Sequence, residues 1–182
     1  GHACYVPVGH RAPAAAPFAG ARDQPAPFYL KDALALLKPL LEDDSVLKIG
    51  QNLKYDMQVM HRHGIDIAPF DDTMLLSYTL DAGKGGHGMD ELSERHLGHS
   101  CISFSQVIEH APGAKKAEKS FAAVPIKHAT EYAAEDADVT LRLWTVLKPR
   151  LAAEGMTSVY ETLERPLMPV IVAMEAAGIK VD

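Results

Sequence analysis

The pentapeptide Tyr132-Ala133-Ala134-Glu135-Asp136 places a phenol four residues ahead of a carboxylate. On an α-helix that spacing stacks both side chains on one face, a hydroxyl beside an acid. The surrounding run, Ile126 to Leu151, supports a helix. Pro125 stands at its head, Ala129, Ala133, Ala137, Leu141, Trp144 and Leu147 supply apolar positions, and Pro149 and Gly155 lie near its end. Glu135, Asp136 and Asp138 crowd three acids into four positions, which costs a helix slightly unless a cation neutralises them. Taken alone, the pentapeptide also fits a plainer account, a solvated acidic face with a tyrosine edging the core.

A second stretch, Val46-Leu47-Lys48-Ile49-Gly50-Gln51-Asn52-Leu53-Lys54-Tyr55-Asp56, reads as a short β-strand ending at Gly50, a polar turn, and a helix beginning near Lys54. In open α/β sheets the side chains that act sit just beyond the carboxyl ends of strands. Asp56 stands where a carboxylate can point into a crevice, and Asn52 and Tyr55 accompany it. An ordinary helix-start acid, favoured by the macrodipole, is the alternative.

Gln51-Asn52-Leu53-Lys54-Tyr55-Asp56, followed about eighty residues later by Tyr132-Ala133-Ala134-Glu135-Asp136-Ala137-Asp138, resembles the second and third signature motifs of the proofreading 3′-5′ exonuclease domain of bacterial DNA polymerase I. That family is the tyrosine branch of the four-carboxylate (DEDD) exonucleases. The resemblance extends over Leu34 to Leu41, Phe70 to Leu80, Met89 to Leu97, Ile102 to Phe104 and Glu164 to Asp182, nearly the whole chain. It implies an α/β, RNase H-like exonuclease fold, a mixed sheet flanked by helices. It also implies hydrolysis of the 3′-terminal phosphodiester of DNA with two divalent cations, Mg²⁺ or Mn²⁺. By the same resemblance Asp136 ligates the ion that carries the attacking water, Asp56 serves the second ion, and Tyr132 orients the water through its hydroxyl. Gln51, Asn52 and Tyr55 would hold the terminal nucleotides, and Phe104 would stack on the 3′-terminal base, with core packing as its alternative. Met89 and Lys84 complete the expected DNA contacts, Lys84 in place of an arginine that relatives often carry just before the histidine found here as His87.

One departure from the family is plain. Its first motif, Asp-x-Glu, supplies two of the four carboxylates, and no Asp-x-Glu occurs among these 182 residues. Ala3-Cys4-Tyr5-Val6-Pro7-Val8 resembles the third strand of the domain, so the first two strands are expected upstream. Residues 1–155 then form an N-terminally truncated exonuclease domain, and 156–182 a connector helix leading toward a polymerase domain that is absent. Impaired activity in this fragment is expected, and an exposed sheet edge would favour self-association. The implied partners are the 3′ end of single-stranded DNA and the polymerase domain of the same parent chain, in a bacterial cytoplasm and associated with the nucleoid. A non-catalytic exonuclease-like scaffold module of a DNA polymerase I is the first alternative, and the presence of Asp56, Tyr132 and Asp136 argues against it. A stand-alone RNA-processing exonuclease is the second, disfavoured by the polymerase-like tail from Glu164.

Composition sets the outer limits. With 47% hydrophobic residues the chain can bury one sizeable core. Its net charge of −6 gives nucleic acid no general attraction, so any DNA contact is local and metal-assisted. Cys4 and Cys101 are too few for a disulfide framework and fit a reducing cytoplasm. No run is long and apolar enough to span a membrane, and the Ala-Pro-rich start lacks the make-up of a signal peptide.

The remaining stretches position rather than react. Gly9 to Pro27 reads as an exposed loop carrying Arg11 and Arg22, and Tyr29 to Leu41 as an amphipathic helix with Leu30, Leu34, Leu37 and Leu41 inward and Pro39 in its last turn. Met57 to His63 continues a helix to a stop at Gly64, with His61 and His63 too poorly aligned for a metal pair. Asp71 to Leu80 reads as a capped, mostly buried helix in which Asp72 is structural. Asp81 to Gly88 reads as a flexible glycine-rich connection, Met89 to Gly98 as a short helix with a glycine stop, and Lys115, Lys116 and Lys119 as a basic, solvated loop. The tail, Thr157 to Ala177, is helical in pattern but interrupted by Pro166 and Pro169.

Overall fold

The computed structural model describes residues 2–10, 28–112 and 119–180. Arg11, Arg22, Lys115 and Lys116 fall outside them. The elements in chain order are α1 (Leu30–Leu41), β1 (Lys48–Gly50), α2 (Leu53–His61), β2 (Phe70–Asp72), α3 (Thr73–Asp81), α4 (Met89–Leu97), α5 (Phe104–Glu109), a 3₁₀ turn (Phe121–Ala123), α6 (Ile126–Ala153), α7 (Thr157–Val159), a π-helical turn (Tyr160–Glu164) and α8 (Arg165–Ala177). They divide into two compact units, one of Gly1–Leu36 with Cys101–Asp138, the other of Leu37–Ser100 with Val139–Asp182. The division falls within α1 and α6.

In the second unit β1 and β2 pair in parallel, Lys48 opposite Phe70, Ile49 opposite Asp71 and Gly50 opposite Asp72. Parallel strands need a crossover, and α2 supplies it. Leu53 and Met57 of α2 meet Ile67, Phe70 and, from α8, Met168 and Val172 in one apolar cluster. In the first unit Val107, Ile108 and Ala111 of the α5 region bury against Val124 and Ala129, with Tyr5, Phe121 and Tyr132 packed around them.

Several expectations are corrected. Among the described residues the sheet is these two parallel strands, not a mixed sheet, and Ala3–Val8 forms no strand. A strand exists only against a hydrogen-bonded neighbour, and among the described residues the backbone bond found there is the one from Phe28 N to Pro7 O at 2.8 Å. Asp71 and Asp72 do not begin a helix but finish β2, so α3 starts at Thr73. On α6 the buried row is Val139, Leu143, Leu147 and Leu151, whereas Leu141 is 48% exposed. Each four-residue step advances about 40° around a helix, so the row begun at Ala129 has turned about 120° by Leu141, while Leu147 returns to the azimuth of Ala129. The tail is helical throughout from Thr157 to Ala177. Its irregularity is the wide π turn just ahead of Pro166, which has no N–H to give the carbonyl four residues back.

Two carboxylates fasten the second unit, and neither role was visible in the sequence. Asp71, fully buried, accepts from Trp144 Nε1 at 2.8 Å, Lys148 Nζ at 3.1 Å, Tyr160 Oη at 3.0 Å and Arg165 Nη1 at 3.3 Å. Burial pushes its pKa up, but these donors outweigh burial and hold it below the usual carboxylate range. Asp81, at the end of α3, takes a two-pronged bond from Arg150 of α6, at 3.0 and 3.1 Å, which brings its pKa down to about 2.

Candidate functional site

The second motif occupies the turn from β1 into α2. Gly50 leaves room there for Leu53, whose Cδ1 would lie 2.5 Å from an added Cβ and would have to turn away. Asn52 follows in the left-handed region, φ 55° and ψ 43°, which asparagine tolerates better than other side-chain-bearing residues. The turn is held by Asp72, which caps two helices at once. Its Oδ1 accepts from Asn52 N at 3.2 Å and from Met74 N and Leu75 N at the head of α3, at 2.8 and 3.2 Å, and its Oδ2 accepts from Leu53 N at 2.7 Å. The structural assignment of Asp72 stands, with a wider reach than a single cap.

Gln51 is spoken for on both ends of its amide. Thr73 Oγ1 donates to Gln51 Oε1, and Gln51 Nε2 donates to His87 O at 2.9 Å. Asn52 and Tyr55 are exposed, Tyr55 by 66%. Asn52, Tyr78 and His87 border a cavity of about 370 Å³ with an apolar floor that includes Leu75, Leu167 and Ile171. Asn52→Gly, which keeps the backbone geometry, is expected to leave thermal unfolding unchanged, and Asn52→Val to cost about 1–2 kcal/mol of stability, from its left-handed backbone.

Asp56 keeps solvent access one turn into α2, yet the protein around it desolvates its carboxyl enough to raise its pKa, and the Asp72 charge adds to that rise. Among the described residues no cationic side chain pairs with Asp56. A hard oxygen donor made reluctant to carry its charge is what a divalent cation relieves, so Asp56 fits a metal ligand. Lys84, by contrast, pairs with Asp81 at 3.1 Å, and Met89 opens α4 with its sulfur accepting from Thr140 Oγ1 at 3.6 Å. The loop between them is clamped rather than slack. Glu91 Oε1 accepts from Gly86 N at 2.9 Å and Arg95 donates to Gly86 O at 3.3 Å, and a Cβ on Gly86 would overlap the Glu91 carboxylate.

In the first unit, Tyr132 and Asp136 lie one helical turn apart on α6, both half-buried. The Tyr132 ring sits edge-on to Phe104, centroids 6.4 Å apart, and to Phe121 at 6.0 Å, while Phe104 and Phe121 stack at 6.2 Å. Phe104 is 56% exposed, so core packing does not account for it. Its place is set by Ser103, which forms a reciprocal cap with Gln106 at the head of α5, and by Glu135, whose carboxylate accepts from Ile102 N at 2.7 Å. Glu135 therefore ties the Phe104 segment to the helix that carries Tyr132. Sequence reasoning missed this role and Phe121 altogether; the only signal for the latter was an aromatic residue four positions ahead of Pro125. Lys119 bonds to Glu109 O at 3.0 Å.

Residues 18–152 match the model of a 3′-5′ exonuclease family, and the chain belongs to that family. DNA polymerase I of Rhizobium leguminosarum is 58% identical over 181 residues, 99% of this chain and 17% of that protein. DNA polymerase I of Pseudomonas aeruginosa is 41% identical over 187 residues, 100% of this chain and 19% of that protein. The chain thus spans less than a fifth of the length of these two curated relatives. Among solved structures, Brucella melitensis NrnC with bound Mg²⁺ is 26% identical with a TM-score of 0.60, over 87% of this chain and 68% of that one. The fold is α/β and of the RNase H-like exonuclease class, and the recognised motifs belong to a 3′-5′ exonuclease domain of the DNA polymerase I type.

Proposed function

We propose that this chain is the part of a bacterial DNA polymerase I that removes nucleotides from the 3′ end of DNA. The observation that carries the reading is that each motif sits on the element its chemistry requires, Asp56 in the first turn of α2, the helix that follows β1, and Tyr132 with Asp136 on one face of α6. Two divalent cations, Mg²⁺ or Mn²⁺, supply an acidified water and stabilise the leaving 3′-oxygen when bound. Asp56 and Asp136 are the residues that would hold them, offering the hard oxygen atoms such ions prefer. Tyr132 orients water through its hydroxyl while Phe104 and Phe121 fix its ring. Asn52 and Tyr55 engage the terminal nucleotides, with Gln51 bracing the turn they stand on. The exposed Phe104 ring gives a base a stacking face worth about 1–3 kcal/mol, and Lys84 and Met89 provide the outer contacts.

Residues 1–155 serve this activity and 156–182 lead toward the polymerase part of the same parent polypeptide, in the bacterial cytoplasm. Among the described residues no helix is long and apolar enough to cross a membrane. The sheet edge remains the place for self-association.

The test is digestion of a 5′-labelled single strand in Mn²⁺ by this chain and by one extended upstream to include an Asp-x-Glu strand. Shortening from the 3′ end by the extended chain, abolished by chelator, is expected, with little by the 182 residues that lack that motif. An extended chain that cuts nothing gives the site to the non-catalytic scaffold reading.

A further inference from the structure

The geometry points to Tyr160 as a positioning residue for the turn that presents Asn52, Tyr55 and Asp56, acting through Asp72; the importance of that turn rests on the proposed function, but the positioning itself does not. Tyr160 is fully buried at the start of the π turn. Its hydroxyl donates to Asp71 Oδ1 at 3.0 Å and accepts from Asp72 N at 3.2 Å. One phenolic oxygen therefore serves two successive residues of β2, the second of which carries the carboxylate that caps both α2 and α3.

Among the described residues the Asp72 N–H has the Tyr160 hydroxyl as its acceptor and no second one. Asp71 keeps Trp144, Lys148 and Arg165 as donors if the hydroxyl is lost, and the ring keeps Lys148 Nζ 4.8 Å from its centroid. Asp72 N–H, in contrast, loses its partner inside a buried strand end, and a buried donor without an acceptor moves to find one. Its own side chain is the nearest thing it can disturb. Four N–H groups hang on that carboxylate, and two of them, Asn52 and Leu53, set where α2 begins. Phenylalanine would satisfy packing at this position; a tyrosine is needed because the Asp72 amide must be held.

The experiment is amide hydrogen exchange on the 182-residue chain, unmodified and as Tyr160→Phe, with Trp144→Phe as the comparison because it also removes a donor from Asp71 but not the acceptor of Asp72. Exchange at Asn52 and Leu53 is expected to quicken about tenfold in Y160F and to stay near the unmodified rate in W144F. Unchanged exchange in Y160F, or equal quickening in W144F, would overturn the inference, since a purely structural loss moves both variants alike. If Y160F does not fold, the unmodified chain decides. The amides of Asp72, Asn52 and Leu53 must then share one denaturant-dependent opening, and separate openings would overturn the inference. Titration with a short thymidine oligonucleotide in Mg²⁺ separates the two readings. An intact exchange pattern in a chain that does not bind it leaves Tyr160 in its role and removes the DNA role of the turn.

Discussion

Asp136→Ala is expected to slow 3′-end digestion by the extended chain about a thousandfold or more. A cation held at a phosphoryl centre is worth several kcal/mol of charge stabilisation in the transition state, and about 1.4 kcal/mol corresponds to a factor of ten. Losing one of the carboxylates proposed to hold it therefore spans three decades or more. Tyr132→Phe provides the contrast. It removes one oxygen while the ring keeps its packing against Phe104 and Phe121, so oligonucleotide binding should be unchanged and turnover should fall about a hundredfold. Single-turnover rates read both effects. Normal digestion by D136A would remove Asp136 from the site, and a Y132F variant that binds DNA poorly would move Tyr132 from chemistry to binding.

The largest stability effect is expected at Asp71. Asp71→Ala leaves Lys148, Arg165, Trp144 and Tyr160 without the carboxylate they converge on, although Glu161 still pairs with Lys148 at 2.9 Å and with Arg165. Breaking a buried ion network from one side costs about 3–5 kcal/mol, which for a chain of this size lowers the unfolding midpoint by roughly 10 °C or more. The pH dependence follows from the same group. Asp71 and Asp81 both have folded-state pKa values below their unfolded ones, Asp81 at about 2. Their stabilisation is complete above the unfolded carboxylate range and is lost as pH falls from there toward 2. Urea titrations between neutral pH and about pH 3 should show a shallower acid loss in D71A than in the unmodified chain. An equal slope in the two would mean that the Asp71 carboxyl has the same pKa folded and unfolded.

The parts of this molecule that were legible in the sequence are those whose signal is local. The strand ending at Gly50, the α2 start and the 28-residue α6 announce themselves by a glycine, a polar turn and an apolar period within a few residues. The strand β2 did not, because Phe-Asp-Asp carries two residues disfavoured in strands, and their compensation comes from Trp144, Lys148, Tyr160 and Arg165, more than seventy positions downstream. Phe121 and Glu135 stayed hidden for the same reason: one is an aromatic in a short irregular stretch, the other an acid among acids, and each gains its role from a chain segment that folds back on it. Tyr132, Asp136 and Asp56 were named from motif resemblance, whereas the residues that hold such side chains in place are evident only once the chain is folded.

Successive side chains on a strand point to opposite faces, so Asp71 and Asp72 are the same residue type with opposite addresses, one turned to the cations of the hub and the other to the N–H groups of two helices. A three-residue strand has too short a ladder to fix its own register, and here the pair of carboxylates fixes it. A slip of one position would send Phe70 to the cations and leave the caps to the wrong acid. The connection from Arg62 to Pro69 is thereby constrained in length as well as at its two buried positions, Ile65 and Ile67. Substitutions at its exposed positions, Arg62, His63 and Asp66, should be tolerated, while insertion or deletion of one residue would be felt at once by β1, α2, α3 and the helical tail.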